Sequence, residues 1–188
     1  EFGLSACTVR TESTGVVHVF AEMFQNPALS GLTTHGAHVM FTSYDGGFSW
    51  SKMQTLWRVT DTCDFIDPVE GRCVMDGYAG ARMDLGSSPS VDIANGAPTG
   101  EGATNEIVDA WVDAGAGLNN EQAMLAWYAG GAWHGPTAVS LPGDRPMYTA
   151  PAISPTGDRA YVVYEADMAP WRGTDMSSPR PYHGVFET

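Results

Sequence analysis

The stretch that decides the fold is "SYDGGFSW", Ser43–Trp50. It packs two serine hydroxyls, a carboxylate, two glycines and three aromatic rings into eight residues, at the end of the strand-like run "HVMFTSY" at 38–44. Local physics favours a turn over a catalytic cluster. An aspartate can accept hydrogen bonds from backbone N–H groups two residues on. Gly46 and Gly47 permit the positive φ that a tight connection between strands requires. Trp50 is then expected to fold back as an apolar plug, with Ser43 supplying a further hydroxyl.

A decayed copy lies further along the chain. "VMFTSYDGGFSW" (39–50) aligns with "AMLAWYAGGAW" (123–133) after one deletion. In the copy Trp127 and Ala129 stand in place of the serine and aspartate, while Gly130, Gly131 and Trp133 remain. Losing the carboxylate and keeping the turn is what a structural element tolerates.

Around these turns the chain reads as all-β. Helical periodicity is nearly absent, and short apolar or alternating runs are separated by Gly, Pro, Asn and Asp. Strands are expected at 15–23, 38–44, 53–59, 89–94, 105–113, 122–129, 136–141, 149–155 and 159–166. They repeat as a set: a short strand, a Gly-containing turn, then a strand ending in an aromatic, at Phe20, Trp111 and Tyr164. Repeats of roughly 40–55 residues with three or four strands are the signature of propeller blades. The expectation is a partial β-propeller of about three blades over 1–188. Blade one covers about 5–60, a long inter-blade loop 60–88, blade two about 88–142 and blade three about 148–188.

Composition bounds the function. The 188 residues carry a net charge of −13, with Lys52 the single lysine among nine cations. Such a surface repels nucleic acid and anionic membranes, and no run of about 18 apolar residues suggests insertion into a bilayer. The chain opens on Glu1 without a visible signal peptide and closes on the strand-like "YHGVFET". It reads as a mature or truncated piece, with the rest of the propeller in chain that is missing. Cys63 and Cys73 bracket "CDFIDPVEGRC". A disulfide there would close roughly ten residues and stabilise by about 3 kcal/mol in the chain-entropy model; the alternative is two free thiols. Cys7 is left over and expected to be buried as a small apolar residue. A bridge favours a secreted, extracellular or cell-surface location.

The complete pattern Ser43, Asp45, Gly47, Trp50 is similar to the Asp box of the sialidase-type, or BNR-repeat, β-propellers. The resemblance covers nearly all of the chain at the level of blade plan, with close motif identity confined to 43–50. It implies a propeller of six blades with the box on the turn between the third and fourth strands, and a functional mouth at the other end. The mouth-side loops are 24–37, 60–88, 113–121, 142–148 and 166–182. The family's reaction is retaining hydrolysis of a terminal sialic acid. Three arginines clamp the sugar carboxylate, a tyrosine assisted by a glutamate is the nucleophile, and an aspartate is the acid/base.

These roles do not transfer residue by residue. The Arg-Ile-Pro motif is absent, and "TVRTEST" offers Arg10 without it. Arg82, Arg145 and Arg172 fall in mouth-side loops as an anion-binding set, or each pairs with one of the 22 carboxylates. Trp171 beside Arg172 suits a sugar ring. Tyr148, Tyr164 and Tyr182 are nucleophile candidates or core aromatics, and Glu165 points away from Tyr164. Asp64, Asp67, Glu70, Asp76 and Asp84 could hold Ca²⁺ or form a solvated loop. His18, His35, His38, His134 and His183 are scattered, and no zinc-site spacing occurs. The catalytic residues stay unassigned, and no cofactor or metal is expected. Two functions remain open: a sialidase-like glycoside hydrolase, or a non-catalytic propeller that binds glycan or protein at a cell surface.

Overall fold

The computed structural model describes residues 2–25, 35–62, 65–66, 71, 73–74, 86–117, 120–168 and 182–187. Among them there are thirteen strands and no helix. Sheet 1 holds β1 (Phe2–Thr11), β2 (Val17–Gln25), β3 (His35–Ser43) and β4 (Gln54–Thr60). The connection to the next sheet carries a two-stranded pair, β5 (Phe65–Ile66) and β6 (Cys73–Val74). Sheet 2 holds β7 (Ser90–Ile93), β8 (Ile107–Asp113), β9 (Gln122–Ala129) and β10 (Ala132–Ala138). Sheet 3 holds β11 (Arg145–Ile153), β12 (Ala160–Asp167) and β13 (Tyr182–Glu187). Each of the three is an antiparallel meander in which spatial order follows chain order.

Sheet 2 is the middle layer. Side chains alternate across a strand, so Ile107, Asp109 and Trp111 of β8 point to one side and Val108, Ala110 and Val112 to the other. All six are buried. On the first side Ile107 meets Phe20 and Met40 of sheet 1, and Trp111 meets Val59. On the second side Ala123 of β9 packs with Tyr164, Ala166 and Val185 of sheet 3. The recurring aromatics Phe20, Trp111 and Tyr164 therefore sit on the second strand of each sheet, and each is at most 1% exposed.

The first strands β1, β7 and β11 lie next to one another, β7 touching both of the others. Turns at this end are stitched from sheet to sheet. Ser13 N–H donates to Asn105 Oδ1 at 2.9 Å, Gly96 N–H to the Pro155 carbonyl at 3.0 Å, and Ile153 N–H to Asp92 Oδ2 at 2.9 Å.

Ser43–Trp50 closes the β3–β4 turn at the same end, with Gly46 and Gly47 at φ +73° and +97°. Asp45 accepts from Ser49, through its N–H at 2.9 Å and its hydroxyl at 2.5 Å, four residues on where two had been expected. Ser43 Oγ donates to Asp45 at 2.8 Å and accepts from Gly47 N–H at 2.8 Å. Trp50 corrects the expected plug. Its indole N–H latches onto the Gly47 carbonyl at 3.1 Å, and its ring stays 45% exposed. In the decayed copy the tryptophan does fill a core, because Trp133 packs against Phe20, Trp57 and Tyr128.

Trp111 joins two sheets by packing against His38 and stacking on Trp57. Replacing it by alanine removes the largest fully buried side chain among the described residues. Urea unfolding of Trp111→Ala is expected to show a stability loss of about 3–5 kcal/mol with the m-value unchanged.

Candidate functional site

The strand ends away from the stitched turns meet at the other end of the sheets. Thr60 N–H donates to Asp113 Oδ2 at 3.0 Å, and Ala114 N–H to the Thr60 carbonyl at 3.0 Å, which ties sheet 1 to sheet 2 there. Just inside this tie lies a group of buried polar side chains contributed by β2, β3, β8 and the segment 86–89.

His38 on β3 is its centre. Nδ1 lies 2.7 Å from Asp109 Oδ2, and Nε2 lies 2.7 Å from the Ser87 carbonyl. A carbonyl and a carboxylate both accept, so the ring donates from both nitrogens as an imidazolium. Both side chains of the ion pair are fully buried. Burial pulls the His38 pKa down, but the charge and hydrogen bond of Asp109, the Ser87 carbonyl and the charge of Glu22 outweigh it, and the net shift is upward. Trp111 meets the imidazole edge-on at 4.8 Å. Asp109 Oδ1 and the indole N–H groups of Trp57 and Trp111 are buried without a hydrogen-bond partner.

Glu22 is directly opposite His38 in the β2–β3 register, hence on the same face. Its Oε1 accepts from Ser87 Oγ at 3.0 Å and its Oε2 from Ser88 Oγ at 3.0 Å. The Ser87 hydroxyl also lies 3.3 Å from Asp61 Oδ1, so one hydroxyl sits between two carboxyl groups. Burial, followed by the hydrogen bond and charge of Asp61, pushes Glu22 up to about 7 against the opposing pull of the two serine hydroxyls. Glu22 thus exchanges a proton near neutrality, the property required of a general acid or base. Asp61 and Ser88 are half-buried and form the solvent edge of the cluster.

The residues singled out in the sequence are mostly elsewhere. Arg145 is on β11 and not in a loop; it is buried and ion-paired with buried Asp167, so its guanidinium is committed within sheet 3. Tyr164 is a core residue whose hydroxyl donates to Asp144 at 3.0 Å and accepts from Leu141 N–H at 2.9 Å, anchoring the β10–β11 connection. Tyr148 is 38% exposed and sits at φ +45° in a bulge of β11. Arg10 is at the opposite end, 3.8 Å from Asp92. Arg82, Trp171, Arg172, Cys63, the side chain of Tyr182 and the acidic residues Asp64, Asp67, Glu70, Asp76 and Asp84 lie outside the described residues. Cys73 is half-buried on β6, whereas Cys7, expected inside, is exposed. Among the described residues no group of three His, Cys, Asp or Glu side chains is arranged to hold a metal ion.

The Glu22–His38–Asp109–Asp61 cluster was missed because each member looks isolated in the chain. The usable signal was register. Glu22 follows Phe20 at an inward position, His38 precedes Met40, and Asp109 lies between Ile107 and Trp111. An ionisable residue in an inward row demands a partner. No protein-family model matches the chain, and no curated protein matches it.

The raised pKa of Glu22 means that the folded protein holds a proton which the unfolded chain releases between 4.5 and about 7. That stabilisation is complete below 4.5 and is lost as pH rises through 7. His38, also raised, acts in the same direction from 6.5 upward. Stability from urea unfolding should therefore fall between about pH 5 and pH 8. Glu22→Gln should flatten the acidic part of that slope, and an unchanged slope would remove Glu22 as its source.

Proposed function

We propose that this chain is part of a sialidase-like β-propeller whose loop-bearing end hydrolyses glycosidic bonds, with Glu22 and Asp61 as the pair that moves the proton. The observation that carries this reading is the Ser87 hydroxyl set between two carboxyl groups at the end of the sheets from which the long connections leave. Glycoside hydrolysis needs a carboxylic acid still protonated near neutrality to protonate the leaving oxygen, and a second carboxylate in the ionised state. Burial, with the hydrogen bond and charge of Asp61, makes Glu22 the first of these. Asp61, hydrogen-bonded to it, is too close to stand across a glycosidic bond as the second and acts on the Glu22 proton.

Three meanders with adjacent first strands, and an Asp-box turn between the third and fourth strand, support the propeller. So does the outer face of sheet 3, where Val163 and Phe186 are 43% and 59% exposed and Tyr161 stacks on Phe186. A further blade, from chain outside this sequence, would bury these groups. With Arg145 committed to Asp167, recognition of a sialic acid carboxylate falls to Arg82 and Arg172, with Trp171 as the stacking surface. The second reading, a non-catalytic propeller that binds glycan or protein, is favoured by one observation. Glu22 is only 5% exposed and both its oxygens already accept from serines.

The full-length protein should release 4-methylumbelliferone from a fluorogenic sialoside or from one of a panel of neutral glycosides. Glu22→Gln and Asp61→Asn should each lower kcat by about 10²–10⁴ with KM little changed. Absence of turnover across the panel, with glycan binding retained, would overturn the hydrolase in favour of the binding module.

An extracellular or cell-surface location goes with a Cys63–Cys73 bridge in this proposal. Alkylation of the denatured, unreduced chain should then modify Cys7 alone, and prior reduction should raise the count to all three cysteines. Labelling of three thiols without reduction would exclude the bridge.

A further inference from the structure

A cleft of about 220 Å³ opens between sheets 2 and 3 at the stitched end, away from Glu22 and His38. Val108, Leu125 and Trp127 line its sheet 2 side, and Ile153 and Ala160 its sheet 3 side. Against this apolar lining stands one ionisable group, the half-buried carboxylate of Glu106. It lies against Gly157, where an added Cβ would come within 2.3 Å of Glu106 Oε2. The absence of a side chain at Gly157 leaves that oxygen room at the cleft wall. Among the described residues no hydrogen bond or ion pair engages the Glu106 carboxylate.

Trp127 supplies the second half of the site. It stands where the intact Asp box has Ser43, a fully buried hydrogen-bonding residue. In the decayed copy the position is a tryptophan 37% exposed, stacked at 5.5 Å and 16° on His134 and lining the cleft. A position released from its fastening role has become an aromatic wall of a cleft that a carboxylate also lines.

We infer that this cleft binds an organic cation, an alkylammonium group whose charge meets Glu106 while its carbon stem or methyls lie on Trp127. An indole face attracts a cation through its quadrupole, and more strongly where water is partly excluded. A carboxylate with no partner among the described residues supplies the opposite charge, and the net charge of −13 concentrates cations around the whole molecule. A neutral pyranose would also stack on tryptophan, but reading its hydroxyls takes several convergent polar side chains, and among the described lining residues Glu106 is the single ionisable one. The site is at the end opposite the proposed hydrolase centre and does not depend on that reading.

The test uses full-length protein with ¹⁵N-labelled tryptophan, the Trp127 indole signal being assigned by its loss in Trp127→Phe. Titration with tetramethylammonium or n-butylammonium chloride should shift that signal saturably, with a dissociation constant on the order of 1 mM. Sodium chloride at equal ionic strength should leave it in place. Glu106→Gln keeps the shape of the side chain and should weaken binding roughly tenfold, with the unfolding midpoint unchanged. No saturable shift, equal affinity in Glu106→Gln, or tighter binding of methyl glucoside than of either ammonium ion would each overturn the inference. Because the readout is at Trp127, it is independent of whether any glycoside is turned over.

Discussion

The fold depends on β8 being apolar on both of its faces. A four-stranded meander with one wet face can stand against a single partner, but β8 presents Ile107 and Trp111 on one side and Val108 and Val112 on the other. Both rows must leave water, and each apolar side chain withdrawn contributes about 1.5–3 kcal/mol. One partner sheet cannot cover two faces. Sheet 1 therefore closes the first face through Phe20, Met40 and Val59, and sheet 3 closes the second through β11, the strand that lies against β8. The two-sided requirement is what makes stacking, and not a simple sandwich, the economical solution for this chain.

The buried ion pair follows from the same row. Asp109 occupies an inward position of β8 between Ile107 and Trp111, so covering the row takes a carboxylate out of water. An isolated buried charge costs several kcal/mol, and only a well-placed opposite charge offsets it. His38 meets that need because the β3 register points it at the same interface, and Ser87 fixes its other nitrogen. The β2–β3 register then sets Glu22 beside His38. A proton-exchanging carboxyl thus arises from one polar residue in an apolar row and two strand registers.

This explains what could be read from the chain and what could not. The period of two, the glycine turns and the aromatic ends at Phe20, Trp111 and Tyr164 are local signals, and they located β2–β4, β7–β9, β11 and β12 to within about four residues, whereas β1 had no expected range of its own and β10 starts at Ala132, ahead of the expected 136. Pairings such as His38 with Asp109, 71 residues apart, depend on how sheets stack. Nothing in either neighbourhood names the other. Arg145 and Tyr164 were plausible site residues by type, but their partners Asp167 and Asp144 become visible only once β11 and β12 are paired. Trp50 and Cys7 were placed inside on the strength of hydrophobicity alone. The indole N–H of Trp50 found a carbonyl at the turn surface, and Cys7 lies within the register shift between Ser5 and Thr8 in β1, a strand with solvent on one side.

The two ends of the sheets treat the same chemical group in opposite ways. At the stitched end Asp45, on the surface, accepts from Ser49 and Ser43 and is held down at about 2. Asp158, likewise exposed, is lowered by the hydroxyls of Ser154 and Thr156. Hydrogen bonds offered to an ionised, solvated carboxylate make it a permanent anion and fix a turn. At the other end Glu22 also accepts from two serines, yet it is driven upward, because burial and a second carboxyl oppose its ionisation more than two hydroxyls favour it. Serine bonding is common to both ends; solvent access decides the outcome. A carboxylate that never gains a proton suits a fastener, and one that does so near neutrality suits proton transfer.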